Sequence, residues 1–353
     1  MWVMNGSVGW ACAGVYIPLY FYRKYGDDRL LRAYYDGMLR YADFMIRRAG
    51  KWGGVYAKPM HLSHKNRKYA VNCGQSYGEW AEPNDVMAFQ WYDFAAPHPE
   101  ESTAYTYFTL KRVLEAAEIL GKPETPQLKR IREYSEGARR AYQELVTKEK
   151  FTLDTDRQAK LVRPLYMGLL TEEQTKFAEK RLIQAMEHYG WRLGTGFLST
   201  PLILDVLAEL DISYAYRLLE NEEMPGWLFM PKSGATTIWE AWEGNTTKDK
   251  GIASLNHYSK GAACEWLTNT MCGIRLDGEN RFVLAPRPGG SITFARASYQ
   301  SVYGSVKTDW AETETGYRLA VTIPANTTAE VILPDGSRRT AEAGTHQYEW
   351  KKA

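Results

Sequence analysis

Two short segments of the chain place glutamates directly beside tryptophans. They are "GATTIWEAWEG", residues 234–244, and "SYGEWAEP", residues 76–83. The acidic and aromatic side chains that they contain are Trp239, Glu240, Trp242, Glu243, Glu79, Trp80 and Glu82. A carboxylate against an apolar wall is poorly solvated, which raises its pKa, and an indole face stacks on flat apolar surfaces such as those of sugar rings.

Paired carboxyl groups of this kind suit the hydrolysis of a glycosidic bond. One carboxyl group acts as the acid and the other as base or nucleophile across the scissile bond. Two such segments in one chain favour a common cleft that both segments line, with Trp239 and Trp242 shielding a carboxylate and Glu79 facing the same space. The alternative is a pair of surface loops whose tryptophans pack into the core, where aromatic side chains most often lie.

Two further motifs, at His257 and at residues 194–200, indicate a function less specifically. His257, in "SLNHY", is placed to donate a hydrogen bond to a sugar hydroxyl, although a lone histidine is more often structural. The segment "GTGFLST", residues 194–200, looks like a phosphate loop, but it lacks a preceding strand and the third glycine of that motif. We interpret it as a turn into a helix. No cysteine or histidine spacing suits a metal, so neither a metal nor a cofactor is expected.

Composition restricts the partners and the compartment. The chain has 353 residues with 44 basic and 42 acidic side chains, which gives no case for nucleic acid or membrane as a partner. The four cysteines are expected to be free thiols in a reducing compartment, and the first residues do not resemble a signal peptide. We therefore expect a cytoplasmic location, provided that the chain starts where the protein starts.

Helical patterns dominate the first 275 residues. Apolar residues recur at close to 3.6-residue spacing from Leu31 to Met45, and Gly121 with Pro123 marks the end of a second helix. Thr125 and Pro126 form the start of a third helix, and Thr171 with Gln174 forms the capping box of a fourth. Shorter helices are predicted at 8–25, 156–169, 201–208, 212–220 and 258–272, so that about nine helices are expected.

The pattern changes to short alternating runs after residue 276. "YRLAVTI" and "AEVILP" read as strands and "PDGS" as a turn, which predicts an antiparallel β domain. The predicted fold is therefore mainly α with a β appendage: an α/α toroid at 1–276 and an antiparallel β-sandwich domain at 277–353.

Taken together, the segments resemble the inverting α-L-rhamnosidases of glycoside hydrolase family 78. Six segments carry the resemblance in the same order as in the family: "GWACAGVYIPLYFYRKYGD", "YGEWAEP", "GTGFLSTPLILDVLAEL", "GATTIWEAWEG", "SLNHYSKGAACEWL" and "APRPGGSITFARASYQSVYGSV". The resemblance implies an (α/α)6 barrel followed by a β-sandwich, and a role in carbohydrate metabolism: removal of terminal α-L-rhamnose from rhamnosides with inversion.

The resemblance also implies roles for individual residues. The family's general base falls on Glu240, and the histidine that contacts the sugar falls on His257. Trp10, Trp80 and Trp242 match aromatic positions that wall the pocket. Glu243 is left without an assigned role.

Two departures from the family pattern bear on activity. The acidic motif that holds the family's general acid precedes the "GW" segment and does not occur in this sequence, and the first barrel helices are missing with it. Cys12 also stands where family members often have an aspartate that helps to hold the sugar. We therefore expect the C-terminal part of a rhamnosidase, with the general acid in a missing N-terminal segment and possible self-association through the surface that the missing helices leave.

Two alternatives to an active rhamnosidase stay open. One is a non-catalytic or vestigial protein that binds rhamnosides without turnover. The other is a different α/α-toroid enzyme, such as a lyase or an unsaturated-uronide hydrolase. This second alternative is less favoured, because such sites usually need basic residues for a uronate carboxylate and both aromatic segments here are acidic.

Overall fold

Paired helices form most of the chain. The computed structural model describes residues 7–51, 60–74, 76–87, 96–147, 152–244, 253–277 and 280–351. Its helices are α1 (Ala13–Tyr25), α2 (Arg29–Arg48), α3 (His64–Arg67), α4 (Pro99–Ile119), α5 (Pro126–Leu145), α6 (Gln158–Met167), α7 (Glu172–His188), α8 (Thr200–Leu210), α9 (Ile212–Leu219) and α10 (Phe229–Lys232). The final helical segment, 259–271, joins a 3-10 turn (Ser259–Ala262), α11 (Ala263–Trp266) and a π-helical turn (Leu267–Met271).

Two of the helices begin at the residues that their capping signals predict. Thr125 caps α5 by accepting a hydrogen bond from the Leu128 amide at 3.2 Å. Both bonds of the Thr171–Gln174 capping box are present at the start of α7. The predicted apolar positions of α2 are all buried. Helix α1 begins five residues later than predicted, because Gly9 adopts a positive φ of 89° in the turn that precedes it.

The helices are arranged in two layers. Helices α1, α4, α6, α8 and α11 contact one another in that order, and each of the long members of this layer pairs with the next long helix in the chain, α2, α5, α7 or α9. The turns between paired helices are short, as in helical hairpins. This arrangement matches the predicted α/α toroid. No helix in the described part of the chain is long and apolar enough to cross a membrane.

Two four-stranded sheets follow the helices. One sheet has the strand order β1 (Ile274–Leu276), β2 (Arg281–Leu284), β6 (Thr328–Ile332), β7 (Arg338–Ala341). The other has the order β3 (Phe294–Ser301), β4 (Gly304–Glu312), β5 (Gly316–Ile323), β8 (Gly344–Lys351). All pairings are antiparallel, as predicted, except that β2 and β6 run parallel.

The helices and the sheets share one hydrophobic core. The fully buried Trp310 of β4 donates its indole hydrogen to the Met271 carbonyl at 2.9 Å, and the Tyr216 hydroxyl of α9 donates to the Arg287 carbonyl at 2.7 Å. The domain division at residue 276 stays a prediction. The first strand, β1, lies on its N-terminal side.

Trp310 is expected to be a main source of stability at this junction. Trp310→Ala removes a buried indole and leaves the Met271 carbonyl unpaired, so we expect a loss of about 3–5 kcal/mol in the free energy of unfolding, measured by urea denaturation. The matched control is Phe294→Ala in β3, whose side chain is exposed; its effect is expected to stay within about 0.5 kcal/mol. Equal losses in the two variants would show that Trp310 has no special role.

Candidate functional site

The first glutamate segment is bound to the glycine segment that precedes α8. We call residues 76–82 the Glu79 loop and residues 194–199 the Phe197 loop. The Phe197 amide donates to the Trp80 carbonyl at 2.8 Å, and the backbones approach so closely that a Cβ at Gly196 would lie 2.3 Å from the same oxygen. Glycine at 196 is therefore a requirement of the packing. The segment forms the predicted turn into a helix.

The carboxylate of Glu79 also binds the Phe197 loop, through Ser199. Its two oxygens accept hydrogen bonds from the Ser199 amide at 2.7 Å and the Ser199 hydroxyl at 2.8 Å. The Arg163 guanidinium donates to the same carboxylate at 2.7 Å. The Glu79 side chain is fully buried, so contact with a substrate would require it to give up one of these partners.

Arg163 lies at the centre of a buried ionic cluster. Its guanidinium donates to both oxygens of Glu100, at 2.8 and 2.6 Å, and lies 3.7 Å from Glu101. Burial would lower the pKa of Arg163, but the charges of Glu100, Glu101 and Glu79 outweigh burial and raise the pKa well above its usual range. Burial would likewise raise the pKa of Glu101, yet the charge of Arg163 holds it at about 2. Arg163 and Glu101 therefore both carry their charge at neutral pH.

The second glutamate segment is held by the chain that follows it. We call residues 237–244 the Glu240 loop. The Glu240 amide donates to the Ser254 carbonyl at 2.9 Å, and the Ser254 amide donates to the Glu240 Oε2 at 2.8 Å. The His257 amide donates to the Ile238 carbonyl at 2.8 Å. Glu240 is partly exposed, and its Oε1 has no hydrogen-bond partner among the described residues.

Phe197 connects the two halves of the site. Its ring lies 5.0 Å from the ring of His257 and 6.1 Å from the ring of Trp10, measured between centroids. The Trp10 ring also packs edge-on against Tyr77 at 5.2 Å, and Tyr77 packs against Trp80 at 5.8 Å. The structure therefore brings Trp10, Trp80, His257 and the Glu240 loop to one region, through a residue that the sequence analysis did not select.

The two ring nitrogens of His257 differ in their contacts within the described part of the chain. Nδ1 lies 2.9 Å from the Ser259 hydroxyl, and within the described ranges Nε2 has no partner. The partly exposed indole of Trp10 donates its own hydrogen to the Gly78 carbonyl at 3.2 Å. These contacts fix the orientation of both rings.

The tryptophans of the Glu240 loop lie in the core instead of on a free surface. Trp239 is 3% exposed and Trp242 is 1% exposed. Trp239 packs under the loop so closely that a Cβ at Gly244 would overlap its ring, and Trp242 packs edge-on against Trp227 with centroids 6.5 Å apart. This burial supports the loop from below and does not favour direct contact of either indole with a substrate.

Cys12 does not face the site. Its thiol is 2% exposed and lies between helices, 3.3 Å from the Thr109 hydroxyl and 3.6 Å from the Tyr41 hydroxyl. The expected consequence of a thiol replacing an aspartate, a lost bond to the sugar, therefore has no support from its position. The described residues hold no cluster of histidine, cysteine or acidic side chains suited to a metal.

Three functional-site residues escaped the sequence analysis. Arg163 lies in the helix "QAKLVRPLYM". A cation among the apolar residues of this helix was the feature that could have indicated a buried ion pair. Lys260, fully buried beside the Glu240 loop, gave a similar signal in "SKGAACEW". Phe197 gave no signal, because its role depends on where two other loops lie.

The paired helices form an α/α toroid, and two family models cover nearly the whole chain. The bacterial alpha-L-rhamnosidase 6 hairpin glycosidase domain matches residues 1–271, and the bacterial alpha-L-rhamnosidase C-terminal domain matches residues 277–348. The chain belongs to the bacterial alpha-L-rhamnosidase six-hairpin glycosidase family.

Individual relatives agree with this assignment. An alpha-L-rhamnosidase of Streptomyces avermitilis is 32% identical over 343 residues, which cover 94% of this chain and 30% of the relative. One from Formosa agariphila is 29% identical over 357 residues, 98% of this chain and 36% of the relative. The crystal structure of the Streptomyces avermitilis alpha-L-rhamnosidase complexed with L-rhamnose superposes with a TM-score of 0.80 at 28% identity, over 99% of this chain and 33% of that one. The chain spans about a third of the length of these relatives.

The ionic cluster around Arg163 is expected to be essential for folding. Arg163→Met leaves three buried carboxylates without their cation, so we expect a loss of about 3–5 kcal/mol in the free energy of unfolding, measured by urea denaturation. Arg281→Met, which removes an exposed ion pair with Asp277, is expected to cost at most about 1 kcal/mol. A loss below that of the control would mean that the cluster does not hold the loops together.

Proposed function

We propose that this chain forms part of the catalytic unit of an enzyme that hydrolyses terminal α-L-rhamnose from rhamnosides with inversion, and that Glu240 is the general base. The observation that carries the proposal is the setting of Glu240. One of its carboxylate oxygens is fixed by the Ser254 amide, and the other has no protein partner among the described residues. The family membership and the relatives named as alpha-L-rhamnosidases support the substrate class.

In this mechanism Glu240 activates a water molecule. Oε1, which has no partner among the described residues, accepts a proton from water as the water oxygen attacks the anomeric carbon on the face opposite the leaving group. The glycosidic bond breaks at the same time, and the general acid expected in a missing segment protonates the leaving oxygen. An inverting enzyme needs room for that water, so the base and the acid stand about 6.5–9.5 Å apart. The bond between Oε2 and the Ser254 amide restricts rotation of the carboxylate and keeps Oε1 directed to one place.

The sugar would lie beside His257, Trp10 and Trp80. The free Nε2 of His257 suits a hydrogen bond to a sugar hydroxyl, and the partly exposed indoles of Trp10 and Trp80 suit contact with the apolar face of the ring. For Glu79, Trp239 and Trp242 we propose supporting roles, because their side chains are buried. Glu79 fixes the Phe197 loop through Ser199, and the indoles of Trp239 and Trp242 pack beneath the Glu240 loop.

The general acid, the exact rhamnoside and the location stay proposals. The acidic motif expected to hold the acid does not occur in these 353 residues, and no described carboxyl group is assigned that role. A cytoplasmic location is supported by the four unpaired thiols Cys12, Cys73, Cys264 and Cys272. A rhamnose-containing glycoside is the proposed partner.

Glu240→Gln is expected to remove most of the turnover. The amide keeps the size of the side chain but cannot accept the proton of water. In the full-length protein, kcat for a rhamnoside should therefore fall by about 10²–10⁴-fold. The control is Glu222→Gln, an exposed glutamate paired with Lys232, which should leave kcat unchanged. Unchanged turnover in Glu240→Gln would place the base elsewhere.

Calorimetric titration with rhamnose separates the proposal from its alternative. An enzyme should bind the sugar and turn over a rhamnoside, whereas a vestigial protein should bind rhamnose with no release of product. Binding without turnover in the unsubstituted protein would therefore overturn the proposed activity and favour a binding role. If the protein neither bound rhamnose nor turned over a rhamnoside, the proposal of a sugar site would be wrong.

Self-association of the 353-residue chain is expected through α1. Ile17 and Tyr20 are 61% and 48% exposed, and Tyr20 borders a cavity of about 650 Å³ between α1, α4, α8 and the final helical segment. Apolar surface beside an open cavity favours association. Ile17→Asp should shift the chain towards monomer in sizing chromatography, while Val302→Asp at the exposed β3–β4 turn should not. A sharp monomer peak for the unsubstituted chain would refute this expectation.

A further inference from the structure

A lysine is buried completely beside the Glu240 loop. Lys260, on the 3-10 turn that opens the final helical segment, has 0% of its surface exposed. Its main-chain carbonyl accepts the indole hydrogen of Trp227 at 2.9 Å, which fixes the backbone at this point. Lysine is among the residues that are almost never fully buried without a partner. Its partners therefore indicate what it does.

The Lys260 ammonium is directed at the main chain of the proposed base. Nζ donates a hydrogen bond to the Glu240 carbonyl oxygen at 2.5 Å. It also lies 3.8 Å from the ring centroid of Trp242 and 5.8 Å from that of Phe197, so two aromatic faces receive its charge. The ammonium thus contacts the Glu240 loop and the Phe197 loop at once.

These contacts compensate only part of the cost of burying a charge. The hydrogen-bond acceptor of Nζ is a neutral main-chain oxygen, and the described residues show no ion pair that involves Lys260. A single neutral carbonyl and two ring faces replace the water shell incompletely. An aliphatic side chain would fill the same space without this cost, so the cation itself has a use at this position.

The charged groups around Lys260 come from few elements. The Glu240 loop contributes Glu240 and Glu243, whose charges attract the ammonium. The 3-10 turn that carries Lys260 also contacts α8, whose charged residues are Asp205 and Glu209. The Phe197 loop contributes its ring and no charged residue.

We propose that Lys260 is the positioning residue of the Glu240 loop, and that its ammonium holds the main chain at Glu240 and supplies a positive charge behind the base. The inference rests on the proposed function, because it assigns to Lys260 a part in the same reaction. Lys260 does not touch the sugar or the water. It acts through the loop that carries the base.

The ionisation of Lys260 links this role to pH. Burial lowers the pKa of Lys260 to about 7, against the attraction of Glu243 and Glu240, which raises it. Near neutral pH the lysine therefore changes between a charged and an uncharged form while it remains next to the loop. The positive charge behind the base is present below pH 7 and is lost above it.

Kinetics of three variants test the positioning role. Lys260→Met keeps the length and removes both donor and charge, so kcat should fall by about 10- to 100-fold while KM changes little, because the base is displaced and the sugar contacts remain. Lys260→Arg keeps a donor and a permanent charge, and should recover at least part of kcat and move the alkaline limb of the pH–rate profile upwards. Lys232→Met, at an exposed lysine, is the control.

Stability measurements test the same lysine without using activity. The lysine of the unfolded chain keeps its proton up to about pH 10, whereas the folded protein loses it near pH 7, so the unfolded state binds more protons in this window. The stability of the unsubstituted protein relative to Lys260→Met should therefore rise from pH 7 to pH 10. Circular dichroism of each variant at pH 7 verifies that it is folded.

The two measurements separate the possible failures. A flat stability difference, or a Lys260→Met variant with normal kcat and an unchanged pH profile, would overturn the role of Lys260. Full turnover in Glu240→Gln would instead overturn the proposed function, whatever the stability of the Lys260 variants shows. A rise in KM with kcat unchanged in Lys260→Met would mean that the lysine supports sugar binding and not the base.

Discussion

A single buried guanidinium orders half of the site. Arg163 cannot be hydrated at its position in α6, and its charge must be balanced by the carboxylates around it. Glu100 comes from α4 and Glu79 from the loop above, so one cation determines where two separate parts of the chain meet. Because Glu79 in turn holds Ser199, the same charge reaches the start of α8. The ionic cluster therefore determines the positions of the Glu79 loop and the Phe197 loop.

The other half of the site is held by different means. Around Glu240 the main chain is fixed by hydrogen bonds to Ser254 and His257, and by packing on buried indoles. The Phe197 ring links this half to the first half, through contacts with the rings of His257 and Trp10 and with the Lys260 ammonium. Ring contacts of this kind are weaker and less directional than buried ion pairs. The half that orders the aromatic walls is thus held by buried charges, while the half that carries the base is held by hydrogen bonds and packing.

The sequence predicted local features well and long-range ones poorly. The capping box at Thr171 and the buried face of α2 were predictable, because each depends on residues a few positions apart. The importance of Glu240 came from the resemblance to a family. The partners of Arg163 lie 63 and 84 residues away, and no periodicity reports which charges meet across such distances. The parallel pairing of β2 with β6 was missed for the same reason, since strand order is set by the whole fold.

The close approach at Gly196 constrains how this site can diversify. The carbonyls of Glu79 and Trp80 occupy the space that any side chain at 196 would need. The backbones of the two loops are therefore in direct contact at this point. An insertion in either loop would have to be matched by a shift of the other. A change of substrate preference that needs a longer loop at the aromatic wall would therefore have to alter both loops together. In this protein the aromatic wall is therefore the part of the site that tolerates a change in loop length least.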